Sequence, residues 1–121
     1  MTDMTQMVAA NNCQIHHPEG NAAALYRDLL VAAGLPPDGL DTCLGDALVA
    51  VDAAGAVRGG VALEIHGDAA LLRSLVVEPR ARGTGLGRRL VERIVDLAAD
   101  RGVAHLVLLT ETAGAFFEAL G

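Results

Sequence analysis

Residues 71–90 read LLRSLVVEPRARGTGLGRRL. An apolar, strand-like run ends at Pro79, and glycine then occupies every second position at Gly83, Gly85 and Gly87, where an arginine-rich segment begins. Glycine allows left-handed backbone conformations and lets N–H groups approach an anion closely. A helix that starts at such a turn adds the positive end of its macrodipole. The stretch therefore predicts a strand, turn and helix that bind a phosphorylated ligand.

Positive charge is concentrated around this turn. The formal net charge of −6 argues against nucleic acid as a partner, since nucleic-acid binding normally needs a basic face. All nine basic residues are arginine, and six lie close together: Arg73, Arg80, Arg82, Arg88, Arg89 and Arg93. The planar fork of donors on arginine matches phosphate oxygens. Arg82 and Arg88 are the best phosphate candidates, whereas we expect Arg93 to pair with Asp96 on the helix surface.

The composition predicts one domain without a membrane segment. With 121 residues the chain has room for one core, and we expect a flexible arm at 1–11 and a single domain at 12–121. The hydrophobic fraction of 52% is largely alanine, and no apolar run approaches the roughly 20 residues of a spanning helix. The N-terminus carries an acid and no basic residue before any apolar stretch, unlike a secretory signal. We therefore expect a cytoplasmic protein with no membrane partner.

The cysteines and histidines do not follow a metal-binding pattern. Cys13 and Cys43 lie far apart and belong to no CxxC motif, so we interpret them as ordinary thiols. His16 and His17 are adjacent, and in an extended segment they point to opposite faces and cannot share an ion. The sequence therefore predicts no bound metal.

Hydrophobic periodicity around the glycine turn predicts a mixed α/β sheet flanked by helices. The expected elements are a strand at 13–16, a helix at 21–33, a helical turn at 38–44, strands at 47–51 and 56–65, the strand before Pro79, a helix from the glycine turn to Gly102, a strand at 104–109 and a last helix from Thr112. The apolar faces of the two long helices are expected at Ala22, Leu25, Leu29 and Ala32, and at Leu86, Leu90, Ile94 and Leu97.

A two-residue turn at 67–68 predicts the register of the central hairpin. Gly-Asp is a hairpin signal, so Ile65 should pair with Ala70 and Glu64 with Leu71. Ala62 should then lie opposite Arg73, which places Arg73 and Glu64 on the same face of the sheet.

Two common phosphate-binding motifs do not match the glycine turn. A dinucleotide G-x-G-x-x-G pattern starting at Gly83 or Gly85 would need glycine at position 88 or 90, where the chain has Arg88 and Leu90. The Walker pattern needs a lysine, and the chain has none. The spacing of the glycines and the missing lysine therefore argue against a nucleotide-binding oxidoreductase, and thermal stabilisation by CoA but not by NAD would remove that alternative.

What remains is V-x-P-x-x-R-G-x-G-x-G-x-x-L, from Val77 to Leu90. This pattern resembles the acetyl-CoA-binding motif of the GNAT superfamily of N-acetyltransferases, (Q/R)-x-x-G-x-(G/A), here Arg82 to Gly87. The order of the predicted elements also resembles that family over residues 12–121. The segments 59–87 and 106–121 resemble, more narrowly, the arsenic-resistance-associated acetyltransferases. The resemblance implies a mostly antiparallel GNAT-like sheet that is short at its C-terminal end.

The resemblance also implies a role for each residue of the motif. Acetyl-CoA would be the co-substrate, with its pyrophosphate bound at Arg82, Gly83, Thr84, Gly85, Leu86, Gly87 and Arg88. Its pantetheine arm would pair with the main chain of Leu75, Val76 and Val77 like an added strand. A backbone N–H near Val76 or Val77 would stabilise the thioester oxyanion.

Acetyl transfer to an amine requires a base, because an alkyl amine is almost wholly protonated at neutral pH. Glu64 is the leading candidate, and the alternative is that it forms only a structural ion pair with Arg73. A buried strand arginine needs an anion, so Arg73 is also a candidate for binding an acidic group of the substrate. Many family members have a tyrosine as general acid where this chain has Phe117. Water, Ser74 or Thr112 would have to replace it.

These features predict an N-acetyltransferase that moves an acetyl group from acetyl-CoA to the amine of a small, amino-acid-like acceptor. The alternative is a non-catalytic acyl-CoA-binding or regulatory module of the same fold. The family usually continues for two strands beyond Gly121, so the apolar segment 105–110 is expected to be an exposed sheet edge. Such an edge predicts a homodimer.

Overall fold

A computed structural model describes residues 13–108 of the protein. The strands are β1 (Gln14–His16), β2 (Ala47–Val51), β3 (Val57–His66), β4 (Ala69–Val77) and β5 (His105–Leu108). The α-helices are α1 (Ala22–Ala32) and α2 (Leu86–Asp100), with short 3₁₀ segments at Leu40–Asp46 and Pro79–Ala81. The predicted arm at 1–11 and the predicted last helix from Thr112 lie outside the described residues. Within them the mixed α/β class is confirmed.

The sheet has five strands in the order β1-β2-β3-β4-β5. The first four are antiparallel neighbours, whereas β5 is reached through α2 and runs parallel to β4. The predicted hairpin register is confirmed: Ile65 pairs with Ala70, Glu64 with Leu71, and Ala62 with Arg73. The mostly antiparallel sheet is therefore as expected.

Each face of the sheet has its own hydrophobic core. On one face α2 packs through Leu86, Leu90 and Ile94 against apolar residues from every strand, including β5. On the other face α1 and the first 3₁₀ segment cover a second cluster. Cys13 belongs to the first cluster and Cys43 to the second, so the sheet separates the two buried thiols and they form no disulfide.

The buried face of α1 differs from the predicted one. Its fully buried residues are Ala22, Tyr26 and Leu30, while Leu25 and Leu29 are only partly buried. The reason is on β3, where a Cβ built on Gly60 would lie 2.5 Å from the Tyr26 ring. The missing side chain at Gly60 makes room for the ring, and this rotates the helix away from the face that aliphatic spacing predicted.

Helix α2 follows its predicted stripe, with Ala98 buried more completely than Leu97. Arg88 and Glu92 form an exposed pair one turn apart, with 3.8 Å between Nε and Oε1. The predicted Arg93–Asp96 pair is replaced by a different contact: Arg93 Nη2 donates to the carbonyl of Ile15 at 3.3 Å. Arg93 thus ties α2 to β1 across the face of the sheet.

Strand β5 is largely exposed. Val107 is 53% exposed and Leu108 is 36% exposed. In the part of the chain that the structure describes, β5 pairs only with β4 and forms one edge of the sheet. An apolar edge at this position agrees with the expectation for 105–110.

Candidate functional site

The glycine turn lies between the end of β4 and the start of α2. Gly83 and Gly85 have φ values of +79° and +86°, in the left-handed region that other residues rarely adopt. A Cβ built on either glycine would meet no heavy atom within 4 Å. The two glycines are therefore required by the backbone conformation, and the space beside them is open to a ligand.

The first turn of α2 presents backbone donors to this space. Gly85 is the N-cap of α2. The first backbone hydrogen bond of the helix is donated by Arg89 N–H to the Gly85 carbonyl, with 3.1 Å between N and O. The N–H groups of Leu86, Gly87 and Arg88 precede it and have no intrahelical acceptor. Within the described residues no side chain caps the helix, and its first turn holds no acid. The turn therefore presents N–H groups and a helix dipole suited to an anion.

Two side chains hold the turn in shape. Thr84 Oγ1 donates to the carbonyl of Ala81 at 2.5 Å, and Arg82 Nε donates to the carbonyl of Val77 at 3.2 Å. Both were predicted to contact the cofactor, and both also have this structural role. Arg88 is exposed at the start of the helix, and its distance to Glu92 is long for an ion pair.

An ion-pair network fixes the end of β4 before the turn, and the sequence analysis did not identify it. Arg58 on β3 donates from Nε to Asp52 Oδ2 at 2.8 Å and from Nη1 to Glu78 Oε1 at 2.6 Å. Asp52 also accepts from the N–H groups of Ala54 and Ala56, each at 2.9 Å. The sequence does contain a signal for this network, because Asp52 begins the β2–β3 turn and Arg58 follows it closely.

Asp52 remains ionised although its side chain is only 5% exposed. Burial raises the pKa of this carboxyl, but the hydrogen bonds from Ala56, Arg58 and Ala54 outweigh burial and hold the pKa below its usual value. The same contacts raise the pKa of Arg58, chiefly through its hydrogen bond to Asp52. Asp52 and Arg58 are therefore both charged at neutral pH.

A β-bulge interrupts β4 near the middle of its length. The register with β3 shifts between Gly60, which pairs with Val76, and Ala62, which pairs with Arg73. Ser74 has a φ of +58°, the only positive value of a non-glycine residue among those described. Leu72 and Val77 consequently belong to the same core, although regular alternation would place them on opposite faces.

The hydroxyl of Tyr26 contacts this bulge. It donates to the Ser74 carbonyl at 2.7 Å, and the tyrosine is completely buried. Burial raises the pKa of Tyr26 well above its usual value, although nearby Arg73 lowers it and Cys43 adds to the increase. Tyr26 is therefore a neutral hydrogen-bond donor at any physiological pH, and the sequence analysis gave it no role.

Glu64 and Arg73, predicted to share a face, are in direct contact. Arg73 Nη1 donates to Glu64 Oε1 at 2.8 Å, and the second carboxylate oxygen lies 2.7 Å from His66 Nε2. The hydrogen bonds from His66 and then Arg73 hold the pKa of Glu64 below its usual value. The Glu64 side chain is 34% exposed. The structure thus brings Glu64 and Arg73 together and adds His66 to them.

Arg73 is held by several groups of the protein. Besides Glu64, its guanidinium donates from Nη2 to the carbonyl of Asp38 and from Nε to Ser74 Oγ at 3.2 Å. A Cβ built on Gly39 would lie 3.0 Å from Arg73 Nη1. The anion that its burial requires is therefore supplied by Glu64.

Strand β5 pairs with the first half of β4 as far as Leu108, the last described residue. Their ladder runs from Ala69 with His105 to Leu72 with Leu108. Among the described residues, no strand pairs with the outer side of β4 at 75–77. This is the segment predicted to pair with the pantetheine arm, and it leads directly to the glycine turn.

Residues 13–108 contain no group of three or more histidine, cysteine or acidic side chains arranged to hold a metal ion. His16 and His17 each contact a backbone carbonyl instead. In the same part of the chain neither helix has the length and hydrophobicity needed to cross a membrane.

Comparison with known sequences identifies one family. A family model described as an acetyltransferase (GNAT) domain matches residues 44–121. The IAA acetyltransferase of Azospirillum brasilense is 40% identical over 52 residues, which are 43% of this chain. The matched region covers 34% of the length of that relative.

Solved structures share the fold at low sequence identity. N-acetylglutamate synthase from Neisseria gonorrhoeae, solved with coenzyme A and L-arginine, gives a TM-score of 0.75 at 22% identity, covering 90% of this chain and 27% of its own. A GNAT-family acetyltransferase from Staphylococcus aureus gives 0.75 at 13% identity, covering 90% and 83%. The ribosomal-protein-S18-alanine N-acetyltransferase of Escherichia coli gives 0.69 at 24% identity, covering 90% and 76%. Because the family model matches more than half of the chain and the fold agrees, the protein belongs to the GNAT family of acetyltransferases.

Proposed function

We propose that the protein is an acetyl-CoA-dependent N-acetyltransferase acting on the amine of a small acceptor. The observation that carries the proposal is the continuous path from the side of β4 at 75–77, which pairs with no strand among residues 13–108, to the left-handed glycines at the start of α2. The path has an extended segment for an amide-containing arm and helix N–H groups for a pyrophosphate. Coenzyme A combines these two parts.

The donor would bind along this path in two parts. The pyrophosphate would accept hydrogen bonds from the N–H groups of Gly83 to Arg88, with the guanidiniums of Arg82 and Arg88 nearby. The pantetheine amides would pair with the main chain of Leu75, Val76 and Val77. The thioester would then lie beside the bulge at Ser74.

The reaction makes three changes at the thioester. The acceptor nitrogen attacks the carbonyl carbon and forms a C–N bond, while negative charge develops on the carbonyl oxygen. That charge needs an N–H donor, and the bulge offers one at Leu75, next to the positions first expected at Val76 or Val77. The C–S bond then breaks and CoA leaves as a thiolate, whose reference pKa of about 8.5 makes it a tolerable leaving group.

Glu64 is the proposed acceptor of the proton that the nitrogen loses. Its lowered pKa keeps it ionised at neutral pH, and its partial exposure allows contact with substrate or with an intervening water. Arg73 and His66 hold the carboxylate in place. Glu64 thus combines the structural ion pair and the basic role that the sequence analysis treated as alternatives.

The acceptor in this proposal is a small, amino-acid-like amine. Arg73 is 15% exposed and already paired with Glu64, so a substrate carboxylate would have to share it. The gonococcal synthase was solved with L-arginine and with N-acetyl-glutamate, which favours amino acids as the first acceptors to test. We also propose that the protein belongs to the arsenic-resistance-associated group of acetyltransferases, which segments 59–87 and 106–121 resemble.

One observation favours the alternative, a non-catalytic acyl-CoA-binding module. Both oxygens of Glu64 already have hydrogen-bond partners in the protein. A base that must receive a proton has to exchange one of these contacts. Such a module would bind CoA and release no thiol.

Thiol release from acetyl-CoA in the presence of a panel of amino acids and amines tests the two candidates. We expect acceptor-dependent release and thermal stabilisation by CoA but not by NAD. Stabilisation by CoA without release for any acceptor would favour the module. Substitution of Arg73 by alanine tests the acceptor: a KM for acceptor that rises no more than the KM for acetyl-CoA would contradict its role in substrate binding.

A further inference from the structure

Tyr26 is a buried polar side chain to which the reaction above gives no role. It projects from α1, and its ring fills the space that Gly60 leaves on β3. Its hydroxyl reaches across the sheet face to a backbone carbonyl on β4, 2.7 Å away. Since an aliphatic residue would fill the core equally well, the hydroxyl needs a separate explanation.

The acceptor of this hydrogen bond is the carbonyl of Ser74, the one non-glycine residue with a positive φ between positions 13 and 108. Ser74 has a φ of +58°, and a non-glycine residue persists in that region only when its surroundings hold it there. Carbonyl groups in a regular ladder bond to the neighbouring strand. Here a phenol from a helix takes the place of a strand partner.

Because the peptide bond is planar, the orientation of the Ser74 carbonyl also sets the orientation of the N–H group that follows it. In a trans peptide the carbonyl of one residue and the N–H of the next point in opposite directions. Fixing the Ser74 carbonyl towards Tyr26 therefore fixes the Leu75 N–H in the reverse direction. Leu75 begins the stretch of β4 that is proposed to hold the thioester arm and that has no strand on its outer side within the described part of the chain.

We infer that Tyr26 is a positioning residue for acetyl transfer, which orients the Ser74–Leu75 peptide so that the Leu75 N–H meets the oxyanion of the thioester. The inference rests on the proposed function and names a residue far from the glycine motif. An oxyanion donor acts mainly in the transition state. Tyr26 should therefore affect kcat much more than the binding of acetyl-CoA.

The test is Tyr26→Phe, which keeps the ring against Gly60 and removes only the hydroxyl. We expect kcat to fall about tenfold or more, below the full effect of deleting an oxyanion donor, with the KM for acetyl-CoA changed less than about twofold. Val31→Ala, at an exposed position of the same helix, is the matched control and should leave both constants unchanged. A purely structural role would lower Tm and leave kcat intact at temperatures where the variant is folded, and this result would overturn the inference.

A second measurement does not depend on turnover. The amide resonance of Leu75 should differ between the CoA and the acetyl-CoA complexes of the wild-type protein, because only acetyl-CoA carries the carbonyl. This difference should vanish in Tyr26→Phe. If no acceptor is acetylated, the proposed function fails, and the presence or absence of this difference still decides the inference.

A third measurement keeps the hydroxyl of Tyr26 in place. Tyr26 is the one tyrosine of the chain, so biosynthetic incorporation of 3-fluorotyrosine labels this site alone. Its ¹⁹F resonance is expected to shift between the CoA and the acetyl-CoA complexes. Identical spectra in the two complexes would contradict coupling between Tyr26 and the thioester site, even if Tyr26→Phe failed to fold.

Discussion

Glu64 is the residue on which the proposed proton transfer depends most directly. Glu64→Gln removes the base and keeps the side-chain shape, so we expect kcat to fall by about 100-fold or more with little change in the KM for acetyl-CoA. Steady-state kinetics with the best acceptor measures both constants. Glu92→Gln, on the exposed side of α2, is the control. A Glu64→Gln enzyme with undiminished kcat would leave Glu64 with the structural role alone.

The pH dependence of the reaction follows from the lowered pKa of Glu64. A base must be deprotonated, and a pKa below the usual glutamate value of about 4.3 keeps Glu64 ionised throughout the neutral range. Any loss of kcat/KM between about pH 6 and 8 should therefore report the acceptor amine. His66→Gln removes the hydrogen bond that lowers the pKa of Glu64 most. The limb of the pH profile in which Glu64 becomes protonated should therefore move to higher pH. A limb that stayed in place would show that His66 does not control this carboxylate.

At the scale of single residues, the sequence predicted contacts between neighbours and missed those made across the sheet. The Glu64–Arg73 pair followed from a two-residue turn, because turn length fixes register. Tyr26 could not be predicted to meet Ser74, since no local pattern shows which helix residue lies over Gly60. Arg93 found a carbonyl of β1 for the same reason.

The glycine turn is the element where backbone conformation and ligand binding coincide. Gly85→Ala puts an L-residue at φ +86°, which costs about 1–2 kcal/mol of backbone strain. We expect CoA affinity, measured by calorimetry, to fall about tenfold. Gly45→Ala is the matched control, because its Cβ has equally open space and its φ is not left-handed. Equal CoA affinity for both variants would show that this conformation is not needed for binding.

The Asp52–Arg58–Glu78 network is the element that secures the end of β4. Asp52→Asn should lower the free energy of unfolding at pH 7 by about 2 kcal/mol, since it leaves Arg58 without its main partner. The folded pKa of Asp52 is lowered, so its contribution is complete above the unfolded value of about 3.9 and is lost as pH falls through the folded value. Urea unfolding at several pH values should therefore show the two proteins converging below about pH 4. A difference that persisted there would point to packing as its cause.

Element boundaries were largely predictable, whereas the bulge in β4 was not. Strands β2 and β3 and helix α2 agree with the expected ranges, because turn residues and helical periodicity mark their ends. A bulge is visible in sequence only when alternation between polar and apolar residues changes phase. Apart from Arg73 and Ser74, all residues at 70–77 are apolar. A shift in the alternation between the two faces of the sheet is therefore not visible in the sequence.

At the scale of the whole molecule, β5 is the feature with consequences for assembly. Val107 and Leu108 are exposed at a sheet edge in the described part of the chain, and an apolar edge favours pairing with another strand. We predict a homodimer, with light scattering at micromolar concentration giving twice the chain mass. Val107→Lys should shift the protein towards monomer, while Val95→Lys, on the surface of α2, should not. A monomeric wild-type protein would contradict the prediction.

The reactivity of the two buried cysteines can report how often each of the two faces of the sheet becomes exposed. Cys13 is buried under α2 and Cys43 under α1, with the sheet between them. A thiol reagent can react with each only when its own layer opens, so the two labelling rates measure two separate opening equilibria. Ligand binding at the start of α2 should slow labelling at Cys13 more than at Cys43. A single rate at both sites would instead mean that the layers open together.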